Sequence, residues 1–400
     1  MKRIKNDPHN HCAYDDHFLE PHELTALAEQ FGTPMFVYDE KGLRSRARSL
    51  LSMFGSTVDA HYFPIDKCPV PQLLRVLREE GIGAFCQTPG ELQLALDCGF
   101  SGERILFGST VISRELSHRI RRLNCVLLAG SPLSLEFELP ERVLLLCRRP
   151  DHREKRLAFA RSLPGIGFPA DELAGQISQL YSRGVRSVGL SLRYDGNVTK
   201  EDFLPGWIRA LEKTAAELTA AGARVDMLHM IGGLGIRYRR VDMQTMDPVL
   251  TADALTQIMA ASERSLTLSL GTLFAEPCGI FVMGVLGVID RLSALVTTDA
   301  RPEDLLLEPL ERYHHISLCG QAQIQGRHCC DIVSCVPGFG GWFGKDRLMP
   351  LPKPGDLLVL HDAGCSRPFH SPHVVLLKRE DGFIDVLQHG EKKQGANADA

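Results

Sequence analysis

The sequence predicts an α/β fold in which parallel strands alternate with helices and close into a barrel, followed by a smaller domain of strands. Two observations carry this reading. Short apolar runs recur between helix-length amphipathic stretches, with Gly or Pro at the junctions, over residues 40–285. From Leu286 the rhythm changes to short apolar runs broken by turns such as Pro337-Gly338-Phe339-Gly340-Gly341 and Pro352-Lys353-Pro354-Gly355-Asp356, as an antiparallel domain requires.

The elements follow in order. Residues 34–38 read as a strand, and 40–53 carry Leu43, Ala47 and Leu50 at helical spacing. Residues 58–65 are a second strand. After Pro69 and Pro71 a helix buries Leu73, Leu74 and Leu77 and stops at Gly81. Ala84-Phe85-Cys86 is a strand, Pro89-Gly90-Glu91 opens the next helix, Gly99 ends it, and 104–107 returns as a strand. Further on, 188–192 is a strand. Ile208, Leu211, Ala215 and Leu218 form one helical face that ends near Gly222, and 225–231 is the next strand. So many βα units fit a closed barrel better than an open sheet. The expected domains are an N-terminal segment 1–39 associated with the β domain, a barrel over 40–285, the β domain over 286–390, and a polar, disordered tail over 391–400.

Composition narrows the function classes. The chain has 400 residues, 44% of them hydrophobic and 24% charged, enough to bury a large core. A net charge of -4 offers no broad attraction to nucleic acid or an anionic membrane, which favours small-molecule work. The apolar stretch 278–289 is too short to span a bilayer, and the polar opening has no signal-peptide core. Twelve cysteines without framework spacing imply reduced thiols and a cytoplasmic setting. His9, His11, Cys12 and His17 read as solvated. His328-Cys329-Cys330 with Cys335 lacks metal-ligand spacing, so no metal is expected.

Two segments suggest chemistry. Asp66-Lys67-Cys68-Pro69 closes one apolar run, and Ile231-Gly232-Gly233-Leu234-Gly235-Ile236-Arg237-Tyr238 closes another. A lysine in a dry site at a strand end can lose its proton and attack an aldehyde. Glycines let backbone N–H groups approach a phosphate. Pyridoxal phosphate needs both.

Phe31-Gly32-Thr33-Pro34-Met35-Phe36-Val37-Tyr38-Asp39, Gly90-Glu91-Leu92, Gly99-Phe100, the glycine turn, Ala275-Glu276-Pro277, Cys330-Asp331 and Lys353-Pro354-Gly355-Asp356-Leu357 leading to Asp362-Ala363-Gly364 occur in an order that resembles the diaminopimelate/ornithine decarboxylases. These are fold-type III pyridoxal phosphate enzymes. The resemblance covers about residues 25–380. It implies an alanine-racemase-like TIM barrel plus a β domain, with active sites shared across a homodimer. It makes Lys67 the Schiff-base lysine if one residue has been lost after Cys68; anchoring on the following prolines puts Asp66 there instead. It also implies that Gly232, Gly233 and Gly235 hold phosphate, that Glu276 pairs with the pyridinium nitrogen, and that Cys330 and Asp331 act across the dimer. The register between Cys329 and Cys330 stays open by one.

Departures from the family are equally visible. Arg193 replaces the histidine that stacks on the cofactor ring, and a guanidinium can also stack. Glu276-Pro277-Cys278-Gly279 lacks the expected arginine, Cys365-Ser366 lacks a tyrosine, Phe85 replaces an acid, and the lysine expected before Gly165 is missing. The sequence thus supports a pyridoxal phosphate-dependent decarboxylase of an amino acid or amino acid conjugate, as in siderophore or other specialised metabolism. The alternative is a cofactor-free homologue that serves as a regulatory or assembly partner.

Overall fold

The computed structural model describes residues 18–148, 166–198, 200, 202–236, 248–301, 314–320, 328–336, 341–365, 373–378 and 383–387. By its contacts the chain divides into two units: a barrel unit, 43–237 with 244–275, and a sheet unit, 1–42 with 238–243 and 276–400.

In the sheet unit, helix α1 (Pro21–Phe31) is opened by a capping box between Glu20 and Glu23 and buries Leu24 and Leu27. Strand β1 (Met35–Asp39) follows, and helix α2 (Glu40–Phe54) leads into the barrel unit. There β2 (Ala60–Pro64), β3 (Gly83–Cys86), β4 (Ile105–Ser109), β5 (Val126–Ala129), β6 (Arg142–Leu146), β7 (Ser187–Val198), β8 (Met227–Leu234) and β9 (Ser265–Ser269) form a closed barrel in sequence order. Pairing is parallel throughout, including the closing β2–β9 contact.

Six of the eight strands, all but β7 and β9, contribute apolar side chains to the barrel interior. Tyr62, Phe85, Leu106, Val126, Leu128, Leu144, Met227 and Ile231 pack together inside it. Between the strands run α3 (Pro71–Glu79), α4 (Pro89–Asp97), α5 (Arg114–Arg122), α6 (Ala170–Ser182), α7 (Phe203–Ala220), α8 (Pro248–Met259) and the short α9 (Gly271–Ala275). Proline at the first turn starts α3 and α4, where its missing N–H costs nothing. Gly81 and Gly99, at φ of 86° and 85°, end those helices as read from the sequence.

One boundary is corrected. The apolar run expected to finish the barrel near 285 is β10 (Gly279–Ile289), which pairs antiparallel with β1 and with β15 (Leu357–Leu360). The barrel unit therefore stops at Ala275. An apolar strand reads alike in either sheet, and only its partners assign it. In the sheet unit, β11 (Ala294–Thr298), β13 (His328–Ser334) and β14 (Trp342–Met349) extend one side of β10. On the other side β1 leads to β16 (His373–Lys378) and β17 (Phe383–Leu387), while β12 (Ile316–Leu318) pairs with β15. Met35, Val37, Ile280, Val282, Val359 and Val375 bury this sheet against α1. Among the described residues, no helix is long and apolar enough to cross a membrane. The leader histidines and Cys12, Gly165, Arg237, Tyr238, Ser366 and the 391–400 tail lie outside the described residues.

Candidate active site

Side chains alternate across a strand, so the buried set fixes which later residues face the barrel axis. Phe85 points inward on β3, which directs Gln87, just past the strand, to the mouth. On β7, a Cβ added at Gly189 would meet the inward Leu144 side chain at 2.7 Å, so Ser191 and Arg193 face inward after it. Arg193 lies beyond the last pairing with β6, at Leu146 and Ser191, and its Nη1 donates to Gln87 Oε1 at 3.3 Å. Ser191 beneath it is fully buried, and its hydroxyl has no hydrogen-bond partner among the described residues.

Lys67 ends the 3-10 turn Ile65–Lys67 at the carboxyl end of β2. It is exposed, and its stem runs beside the continuation of β9, where a Cβ on Gly271 would come 3.4 Å from Lys67 Cγ. Asp66 is half-buried in the same turn. Lys67 thus supplies an amine at the rim, with Asp66 as the acid next to it.

The glycine turn is the end of β8. Gly232 and Gly233 have φ of 66° and 88°, and a Cβ at Gly232 would lie 2.5 Å from the Tyr194 carbonyl oxygen, so side chains are excluded there. Gly235 is different. Its N–H donates to Val198 O at 3.0 Å within an extension of the β7–β8 pairing, so that amide is not available to a phosphate.

Sequence reasoning missed a polar layer inside the barrel. His229 on β8 is fully buried; its Nδ1 lies 2.7 Å from Thr267 Oγ1 and its Nε2 3.2 Å from Ser269 Oγ. Burial pushes the imidazole down to about 3, so it is neutral. These are isolated polar residues within apolar strands, and only their inward parity could have marked them.

The remaining predicted residues lie in the sheet unit. Glu276 follows α9, while the inward residue at the end of β9 is Ser269, so the predicted pyridinium carboxylate is not carried by the barrel strand. Glu276 is buried, with Oε1 4.0 Å from His314 Nε2. His314 donates from Nδ1 to His361 O at 2.8 Å, and burial pushes it down to about 4. Cys330 and Asp331 project to opposite faces of β13. Cys330 is fully buried, and burial raises its thiol to about 11, which removes it as a ready proton donor on a surface. Asp331 accepts from the Asp346 N–H at 2.9 Å, and Cys329, partly exposed, shares its face. At Gly279 a Cβ would meet Gly364 Cα at 2.6 Å, so the backbone of the next segment occupies the space of the missing arginine.

Comparison with known proteins places this architecture. No family model matches the chain. It is 27% identical over 352 residues to Protein TabA of Pseudomonas amygdali pv. tabaci, covering 86% of this chain and 83% of that one. It is 25% identical over 397 residues to diaminopimelate decarboxylase of Aquifex aeolicus, covering 94% and 93% respectively. Its fold matches diaminopimelate decarboxylase from Helicobacter pylori complexed with L-lysine at a TM-score of 0.78 and 18% identity, over 91% of this chain and 95% of that one. A closed parallel barrel with a separate β-sheet unit is an alanine-racemase-like fold. In sequence and fold the chain is similar to diaminopimelate decarboxylases, at the low identities given above.

The residues fit pyridoxal phosphate in part. The rim amine of Lys67 suits an aldehyde, and the side-chain-free turn at Gly232 and Gly233 suits a phosphate. The arginine is absent, and a hydroxyl backed by a neutral imidazole stands at the inward end of β9.

Proposed function

We propose that the chain is a pyridoxal phosphate-dependent carboxy-lyase acting on an amino acid or amino acid conjugate at the barrel mouth. The observation that supports this is the placement of Lys67 in the turn after β2, of Arg193 on β7 beyond its last pairing with β6, and of the Gly232-Gly233 turn near the end of β8. The decarboxylase relatives, and the L-lysine bound to one of them, support an amino acid ligand and favour an enzyme over a cofactor-free partner.

Lys67 would hold the cofactor through Nζ, the amides of Gly232 and Gly233 its phosphate, and Arg193 the face of its ring. When bound, the cofactor supplies an electron sink for the pair left behind as carbon dioxide departs. Asp66 would exchange protons with the neighbouring amine. In a homodimer, Asp331, on the side of β13 away from Cys330, would hold a substrate ammonium group. A cytoplasmic setting belongs to the same reading, supported by the free thiols of the described cysteines.

The test is borohydride reduction of the purified protein with added pyridoxal phosphate, followed by peptide mass mapping and assays for carbon dioxide release from amino acids and their conjugates. An adduct on Lys67 with release of carbon dioxide supports the proposal. No adduct and no release would leave the cofactor-free partner.

A further inference from the structure

Arg193 and Gln87 stand on opposite sides of the barrel. In the closed order β2 to β9, β7 and β3 are separated by three strands on either path, so a hydrogen bond between residues at their ends crosses the mouth. The two anchors differ in stiffness. Gln87 follows a fully buried strand, and its backbone N–H donates to Glu91 Oε2 at 2.7 Å. Glu91 lies in the first turn of α4, where its own N–H is capped by Thr88 Oγ1 at 3.2 Å. The glutamine therefore projects from a fixed point. Arg193 has a long side chain with many rotamers, and ordering it alone would cost up to about 2 kcal/mol.

A hydrogen bond made at the edge of a guanidinium restricts its rotation without itself occupying a flat face. Below this pair the barrel is closed by buried Ser191 and Phe85, so a flat ring entering the mouth meets the guanidinium before the interior. We propose that Gln87 is a positioning residue for Arg193: together they form a strut across the barrel mouth that presents the guanidinium face to the ring of the bound cofactor. This rests on the proposed function, since it takes pyridoxal phosphate as the ring.

The probe is 4′-deoxypyridoxine 5′-phosphate, which lacks the aldehyde and cannot bond to Lys67, with its Kd measured on the full-length protein by calorimetry. Gln87→Leu is expected to weaken binding by about tenfold, and Arg193→Met by at least as much. Arg193→His, which restores a flat ring, is expected to stay within about threefold of the parent. The double variant Gln87→Leu/Arg193→Met should be no weaker than Arg193→Met alone, because the glutamine acts only through the arginine. Thermal unfolding of each variant separates loss of fold from loss of the strut. Parent-like binding by Gln87→Leu, or additive losses in the double variant, would overturn the strut and leave the proposed function standing. Failure of the parent protein to bind the probe would overturn both.

Discussion

Ser269 Oγ and His229 Nε2 lie 3.2 Å apart on neighbouring strands, and the direction of their hydrogen bond is set from behind. Thr267 directs its hydroxyl proton to Leu228 O at 3.4 Å, so its oxygen accepts from His229 Nδ1 at 2.7 Å. A neutral imidazole protonated at Nδ1 carries a lone pair at Nε2, and Ser269 must donate to it. The Ser269 oxygen is then left as an acceptor inside the barrel.

Acid should unfold the barrel through its buried histidines. Burial holds His61 at about 4 and His229 at about 3, below the ordinary value of 6.5. Between pH 6 and 4.5 the unfolded chain binds protons that the folded barrel refuses, so stability falls as pH falls. These two groups give a slope of up to about 2.7 kcal/mol per pH unit, and His314 of the sheet unit, also held at about 4, adds to it in the same direction. Denaturant titrations at pH 7, 6 and 5 should show it, and His229→Gln should lower it by about a third.

Gly232→Ala should cost about 1–3 kcal/mol, because it forces a side chain to φ of 66° with its Cβ 2.5 Å from the Tyr194 oxygen. Thermal unfolding reads the stability loss. Weaker retention of pyridoxal phosphate in equilibrium dialysis reads the loss of the turn. Unchanged retention in a folded variant would exclude this turn as the phosphate site.

Restoring the family arginine should fail. Gly279→Arg places a Cβ 2.6 Å from Gly364 Cα and 2.9 Å from the Tyr38 ring, an overpacking expected to cost about 1–3 kcal/mol or more. Lower thermal stability without tighter cofactor binding is the expected result. β10 and the segment at Gly364 approach too closely at Gly279 to admit a side chain without a shift of the backbone.

Cys330→Ala should lower stability by about 1 kcal/mol and leave the rate of carbon dioxide release within about threefold, since the thiol is buried in the sheet unit. Asp331→Asn should reduce the rate more than tenfold with little change in stability. Rates measured beside melting curves separate the two.

The sequence by itself determined the alternation of strands and helices, their stops at Gly81 and Gly99, the glycine turn, and the change to a second sheet, because these follow from local periodicity and backbone preference. It also located the amine at the end of β2. Tertiary structure alone decided how side chains were shared out. β10 is as apolar as a barrel strand, and its pairing with β1 and β15 places it outside the barrel. Cys330 and Asp331 are neighbours in sequence, and the pleat of β13 sends them to opposite faces. Gln87, His229 and Ser269 carry no motif. They acquire a role because closing eight strands brings their inward faces together across distances that no local pattern encodes.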